Sequence, residues 1–174
     1  MDDNVATSIK HIEEIKALVA GLSAKDHHND EIISRLAEYL IIRVSGLIEV
    51  SVKAILLDHS KNATNDLPVL SFIEYQLNRH WDLNHGKICE LVEHFSPDWG
   101  TAVKRDIVGP MKESINSVVV LRNTLAHGGD ITISFSTASD HNCHVLEAMQ
   151  TLATICNPGA KSWFNPPQSA TLRP

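Results

Sequence analysis

Three side chains close together in this chain are of the kinds that move protons and hold anions: Arg122, Asn123 and His127. An imidazole exchanges its proton near neutral pH, which suits it to general acid or base work. A guanidinium meets anionic oxygens through two parallel N–H donors and stabilises negative charge as it develops. Asn123, one helical turn before His127, can orient the imidazole or hold an oxygen of the reacting group. The pattern fits proton transfer at an anionic centre.

The element that must position them runs from Pro110 to Asp130. A proline suited to a helix first turn opens it, and Gly128-Gly129 can close it. Met111, Ile115, Val118, Val119, Leu125 and Ala126 recur at helical spacing and gather within about 120° of one another. Arg122 projects from that same apolar side, where a guanidinium belongs only if it is paired or if the face closes over an anion. Asn116, Asn123 and His127, at intervals of seven and four, make a polar border to the stripe. His127 then falls near a helix C-terminus, whose free carbonyls favour imidazolium.

A second helix is expected from about Asp30, as cap, to Leu57, with its second half apolar almost all round, as in a buried central element. Arg43, Gly46, Glu49 and Lys53 share about a third of its circumference. One reading makes them a solvated groove or ion pairs, Glu49 with Lys53 at i,i+4. The functional reading turns Glu49 or Arg43 toward the Arg122/His127 edge.

The segment L-R-N-T-L-A-H-G contains R-N-x-x-x-H and resembles the signature of the HEPN superfamily, small α-helical domains that include metal-independent endoribonucleases. R-V-S-G-L-I-E, Arg43 to Glu49, is similar to the second-helix pattern of the branch associated with ribonuclease LS and phage-defence proteins. The L-x-R-x-W-x-L run ending at Leu83 is similar to the same branch, so the resemblance covers roughly Ile32 to Ile155. It implies an all-α, HEPN-type helical bundle and an endoribonuclease that needs no cofactor. It also implies a homodimer with a composite active site and a toxin or phage-defence setting, with an antitoxin or defence-system partner. Burial of the Arg122 stripe against a second copy is in addition a packing expectation, because one copy supplies one imidazole and one guanidinium.

RNA is cut without metal when its own 2′-OH attacks the adjoining phosphate, leaving a 2′,3′-cyclic phosphate and a 5′-OH. His127 suits the proton transfer and Arg122 the phosphorane charge. The competing reading makes Arg122 a buried partner of Glu49 and His127 a helix-end residue bonding a carbonyl, within a non-catalytic interaction or dimerisation module. A metal enzyme is the third class, from His141-x-x-His144 with Cys143 and from His85 four residues before Cys89. No H-E-x-x-H or C-x-x-C frame supports it.

The formal net charge is −6, so no basic field draws nucleic acid to the whole surface, and RNA contacts must be local. A hydrophobic share of 43% against 21% charged residues argues for a folded core and against disorder. Three cysteines without a C-x-x-C pair read as reduced thiols in a cytoplasmic protein, and Met1-Asp2-Asp3 is acidic where a signal peptide is basic. The apolar run Tyr39 to Leu57 is interrupted by Arg43, Glu49 and Lys53, so no membrane partner is expected.

Other helices are expected over Asn4 to Leu22, from Pro68 to Leu77, around Ile88 to Phe95, over Thr101 to Val108, and after a cap at Thr137 or Ser139 as far as Cys156. Asp58 to Asp66 reads as a loop and Pro97 to Gly100 as a turn. Ile131, Ile133 and Phe135 alternate in a short extended link. Phe72, Trp81 and Trp99 read as core aromatics. Residues 1–156 form one domain in this reading, and 157–174 a proline-containing tail whose Trp163-Phe164 could dock.

Overall fold

The computed structural model describes residues 2–23 and 29–158. The docking expected of Trp163-Phe164 lies outside them. Seven helices follow in order: α1 (Asp3–Ser23), α2 (Asp30–Ala63), α3 (Leu67–Leu77), α4 (His85–Glu93), α5 (Pro97–Asp106), α6 (Pro110–Ala126) and α7 (Phe135–Cys156). Among the described residues there is no strand, and the fold is the all-α bundle expected. No described helix is long and apolar enough to cross a membrane.

The bundle is assembled around α2, which packs on α1, α3, α6 and α7. Ala37, Leu40, Ile41, Val44, Leu47, Ile48, Val52, Ile55 and Leu56 are buried at steps of three and four. Burial of each large aliphatic side chain contributes on the order of 1.5–3 kcal/mol. α1 answers with Val5, Ile12, Ile15 and Val19, and α7 with Val145, Met149, Leu152 and Cys156. Asn157 Nδ2 donates to the carbonyl of Ile55 at 3.2 Å, tying the end of α7 to the C-terminal half of the core helix.

Several boundaries differ from expectation for local reasons. Asn29 rather than Asp30 occupies the cap position of α2, leaving Asp30 and Glu31 in the first turn. At its other end α2 runs on through the polar stretch expected as a loop and stops at Thr64, which turns extended. Asp66 caps α3, its carboxylate accepting the N–H of Val69 at 3.2 Å. Pro97 to Gly100 is the first turn of α5, since proline is tolerated where the N–H has no helical partner. Ser134 caps α7 by accepting the N–H of Thr137 at 3.0 Å, so the extended link ends before Phe135.

Phe72 and Trp81 are not core residues: they are 61% and 62% exposed. α3 packs chiefly on α2 and fully buries only Leu77, which leaves Phe72 on its open side. Trp99 does pack inward, edge-on to His59 with ring centroids 4.6 Å apart.

Candidate active site

The inward face of α6 is Ile115, Val118 and Val119, buried against the bundle. Met111 and Leu125 are half-buried, and Ala126 is exposed beyond the end of the stripe. The helix ends in a paired backbone cap. Gly128 adopts φ +76° and donates to the carbonyl of Leu125 at 3.1 Å, while Gly129 N–H reaches Thr124 O at 2.9 Å. Such a cap requires a left-handed residue after the last helical one, a conformation glycine adopts without strain. His127 is the residue between helix and cap; its N–H donates to Asn123 O at 3.1 Å, and it is exposed. The glycine pair thus fixes where that imidazole leaves the helix.

The second part of the site is the latter half of the loop between α3 and α4, Trp81 to Asn84. Leu83 is buried and anchors it, and Asn84 caps α4 by accepting from Lys87 N at 2.9 Å. Asp82 sits at φ +53°, a left-handed conformation that Asp tolerates better than most residues. Its N–H donates to Glu49 Oε1 of α2 at 3.1 Å, and His85 N–H donates to Asn116 Oδ1 of α6 at 3.1 Å. The polar border of α6 is therefore, at Asn116, the seam on which this loop is held.

Arg122 joins the two parts. Its Nη1 donates to Asp82 Oδ1 and to Asn123 Oδ1, both at 2.9 Å. Those two bonds use both hydrogens of Nη1, while among the described residues Nη2 and Nε meet no acceptor. The guanidinium side chain is 35% exposed and its carboxylate partner 26%. A chain of contacts runs from Glu49 through Asp82 and Arg122 to Asn123, with one edge of the guanidinium left for an anion.

The expected site residues divide accordingly. Glu49 and Arg122 meet at Asp82 of the α3–α4 loop, and Asn116 holds the residue that follows the loop, His85. Asn123 holds Arg122, and His127 stands one turn beyond Asn123. Glu49 acts through Asp82 and not on Arg122 itself. Asn123 holds Arg122 by its side chain and His127 only by its backbone. Arg43 is elsewhere: its Nη2 lies 2.6 Å from Nδ1 of His11 on α1. It stands six positions before Glu49, which at ~100° per residue carries it about 120° round α2. Asp82 is the residue that the pattern of the sequence did not single out. Its one signal is an acid inside the W-D-L-N-H-G break between two helices.

The other histidine pairs have their own partners. His141 Nδ1 and His144 Nδ1 lie 3.0 and 3.2 Å from the hydroxyl of Ser114, which joins α6 to α7. Burial, then the neighbouring His144, lowers the pKa of His141. His85 packs on Cys89 at 3.8 Å; burial, then Lys112, lowers its pKa, while burial raises that of the thiol. Neither cysteine nor histidine of that pair is set up to be charged near neutrality.

The model of the RiboL-PSP-HEPN family matches residues 3–157. The chain belongs to that family. No curated protein and no solved structure matches it. The HEPN match takes in all seven helices, α1 included, and so extends beyond the stretch of R-N-x-x-x-H and R-V-S-G-L-I-E resemblance. Both the α3–α4 loop and the Arg122-to-His127 segment lie inside this HEPN unit.

Proposed function

We propose that this HEPN chain is a metal-independent endoribonuclease, with Arg122, Asn123 and His127 at its centre. The observation that carries the reading is the state of Arg122. Its Nη1 is spoken for by Asp82 and Asn123, and the Nη2/Nε edge stays open on a side chain 35% exposed. That edge has the two-donor geometry that phosphate oxygens accept. In the reaction the 2′-oxygen bonds to phosphorus, its proton passes to a base, and the bond from phosphorus to the 5′-oxygen breaks. His127 protonates the departing 5′-oxygen, and a 2′,3′-cyclic phosphate remains. The charge on the pentacoordinate phosphorus falls to Arg122.

Two proton carriers are needed and one subunit brings one His127, so the active form is a homodimer with a composite cleft. Ile32, Tyr39, Ile42 and Gly46 support this: all four are exposed on α2 and lie with Glu49 within about 100° of the helix circumference. The stripe leads to the residue that holds Asp82. A cytoplasmic toxin or defence role, restrained by an antitoxin or another defence-system partner, rests on the family resemblance.

A second reading, a non-catalytic interaction module, is favoured by one observation: Arg122 already has a carboxylate partner in its own subunit. The experiment that separates them is incubation of the purified protein with mixed RNA in excess EDTA, beside His127→Ala and Arg122→Ala. Cyclic-phosphate ends from the wild type alone support the nuclease. Intact RNA in all three lanes leaves the module.

A further inference from the structure

We infer that the cleft beside Trp81 binds one nucleotide of single-stranded RNA flanking the cut phosphate, its base stacked on the indole. The inference rests on the nuclease reading for its meaning, but on separate residues for its evidence. Arg79, His80, Trp81, Lys87, Glu90 and His94 line a surface cleft of about 220 Å³, floored by the buried Leu91.

Two cations and two imidazoles face one carboxylate there, in a chain whose formal net charge is −6. The local positive contact that an acidic nuclease requires is therefore present at this place. The indole is 62% exposed, and no fold requirement explains it, since the neighbouring Leu83 anchors the loop. Nor is the loop loose. Lys87 Nζ donates to the carbonyl of Trp81 at 3.3 Å, and Asp82 N–H is held by Glu49. Arg79 lies over the ring of Tyr75, 5.7 Å from its centroid, which keeps its charge at the rim.

An exposed aromatic face beside cations is the arrangement on which unpaired bases stack, whatever their sequence. A base inside a duplex is stacked already and cannot use it. The position is decisive. Trp81 is the chain neighbour of Asp82, whose carboxylate holds Arg122 at 2.9 Å, so the cleft and the guanidinium are served by one short stretch of loop, within reach of adjoining nucleotides of one strand.

The test is equilibrium binding of a short, dye-labelled single-stranded oligoribonucleotide to full-length His127→Ala protein, read by fluorescence anisotropy, with far-UV circular dichroism of each variant. Adding Trp81→Ala is expected to weaken binding roughly tenfold, and Trp81→Phe no more than about threefold. Lys87→Ala is expected to weaken binding and to flatten its logarithmic salt dependence by about 0.7. Duplex of the same sequence is expected to bind Trp81→Ala and its parent alike. The inference is overturned if the folded Trp81→Ala protein holds the single strand as tightly as its parent, or loses duplex equally. Cutting in EDTA without a Trp81 effect removes the subsite and keeps the nuclease. Trp81-dependent binding by a protein that cuts nothing keeps the subsite and removes the nuclease.

Discussion

Asp82 holds Arg122 across 40 residues of sequence, Oδ1 to Nη1 at 2.9 Å. Both side chains keep contact with solvent, at 26% and 35% exposure. A pair of that kind contributes on the order of 0–1 kcal/mol to folding. Its weight lies in direction: it sets the plane of the guanidinium and so the line along which an anion meets it.

Substitutions at the pair should accordingly separate activity from stability. Arg122→Ala should lower RNA cleavage in EDTA by roughly 10²–10³-fold, the usual effect of removing one preorganised donor. Arg122→Lys should rescue little, because an ammonium lacks the fork. Asp82→Asn keeps the shape and should fall between them and the wild type. All three should change the free energy of unfolding in urea by less than about 1 kcal/mol. A large loss of stability in Arg122→Ala would instead mark the arginine as a strut of the fold.

The glycine cap behind His127 gives a second test. Gly128→Ala puts a side chain at φ +76° and should destabilise by about 1 kcal/mol. Gly129→Ala places a Cβ 2.8 Å from Thr124 Cγ2 and 3.1 Å from Thr124 O, so the last turn must shift. Both variants should lose cleavage beyond their loss of stability, because the exit of the imidazole moves. Urea unfolding and initial cleavage rates on the same preparations compare the two.

Stability should fall as the solution is acidified. His85 and His141 both have their pKa lowered from 6.5 by burial, with Lys112 and Cys89 beside the first and His144, Asp140 and Ser114 beside the second. The unfolded chain then takes up protons first as pH drops, so stability is fully present above about 6.5 and is lost below it. Urea midpoints at a series of pH values should show this decline. It should be shallower in His141→Gln, and an unchanged slope in that variant would contradict the assignment.

Gly46 distinguishes a lone subunit from a pair. It is exposed in the middle of a 34-residue helix, and a Cβ there meets nothing within 4 Å. In an isolated subunit Gly46→Ala should therefore stabilise α2 by up to about 1 kcal/mol. If the α2 stripe closes on a second copy, the same methyl occupies the contact and weakens association. Sedimentation velocity across a dilution series, with thermal unfolding of the same samples, reads both effects.

The helices of this chain were legible wherever a buried face repeats. Leu40, Ile41, Val44, Leu47, Ile48 and Val52 declare α2 by spacing alone, and Pro110 with Gly128-Gly129 marks both ends of α6. Arg122, Asn123 and His127 were legible as a set, since they are neighbours on one helix. The partner of Arg122 was not. Asp82 stands in a turn without periodicity, and its placement depends on Glu49 and the buried Leu83, neither of which points to it in sequence. Phe72 and Trp81 differ from expectation for a related reason: aromatic character announces burial only where another layer covers the residue, and Phe72 on α3 and Trp81 in the loop beyond it both face outward.

One peptide unit joins Trp81 to Asp82, the residue whose carboxylate steers Arg122, and the N–H of that unit is held by Glu49. A shift of the Trp81 backbone is therefore shared with the residue that orients the arginine. If the chain cuts RNA as proposed, a strand with no unpaired base to offer the indole should lose turnover as well as affinity, because the ring and the residue that orients the arginine are chain neighbours.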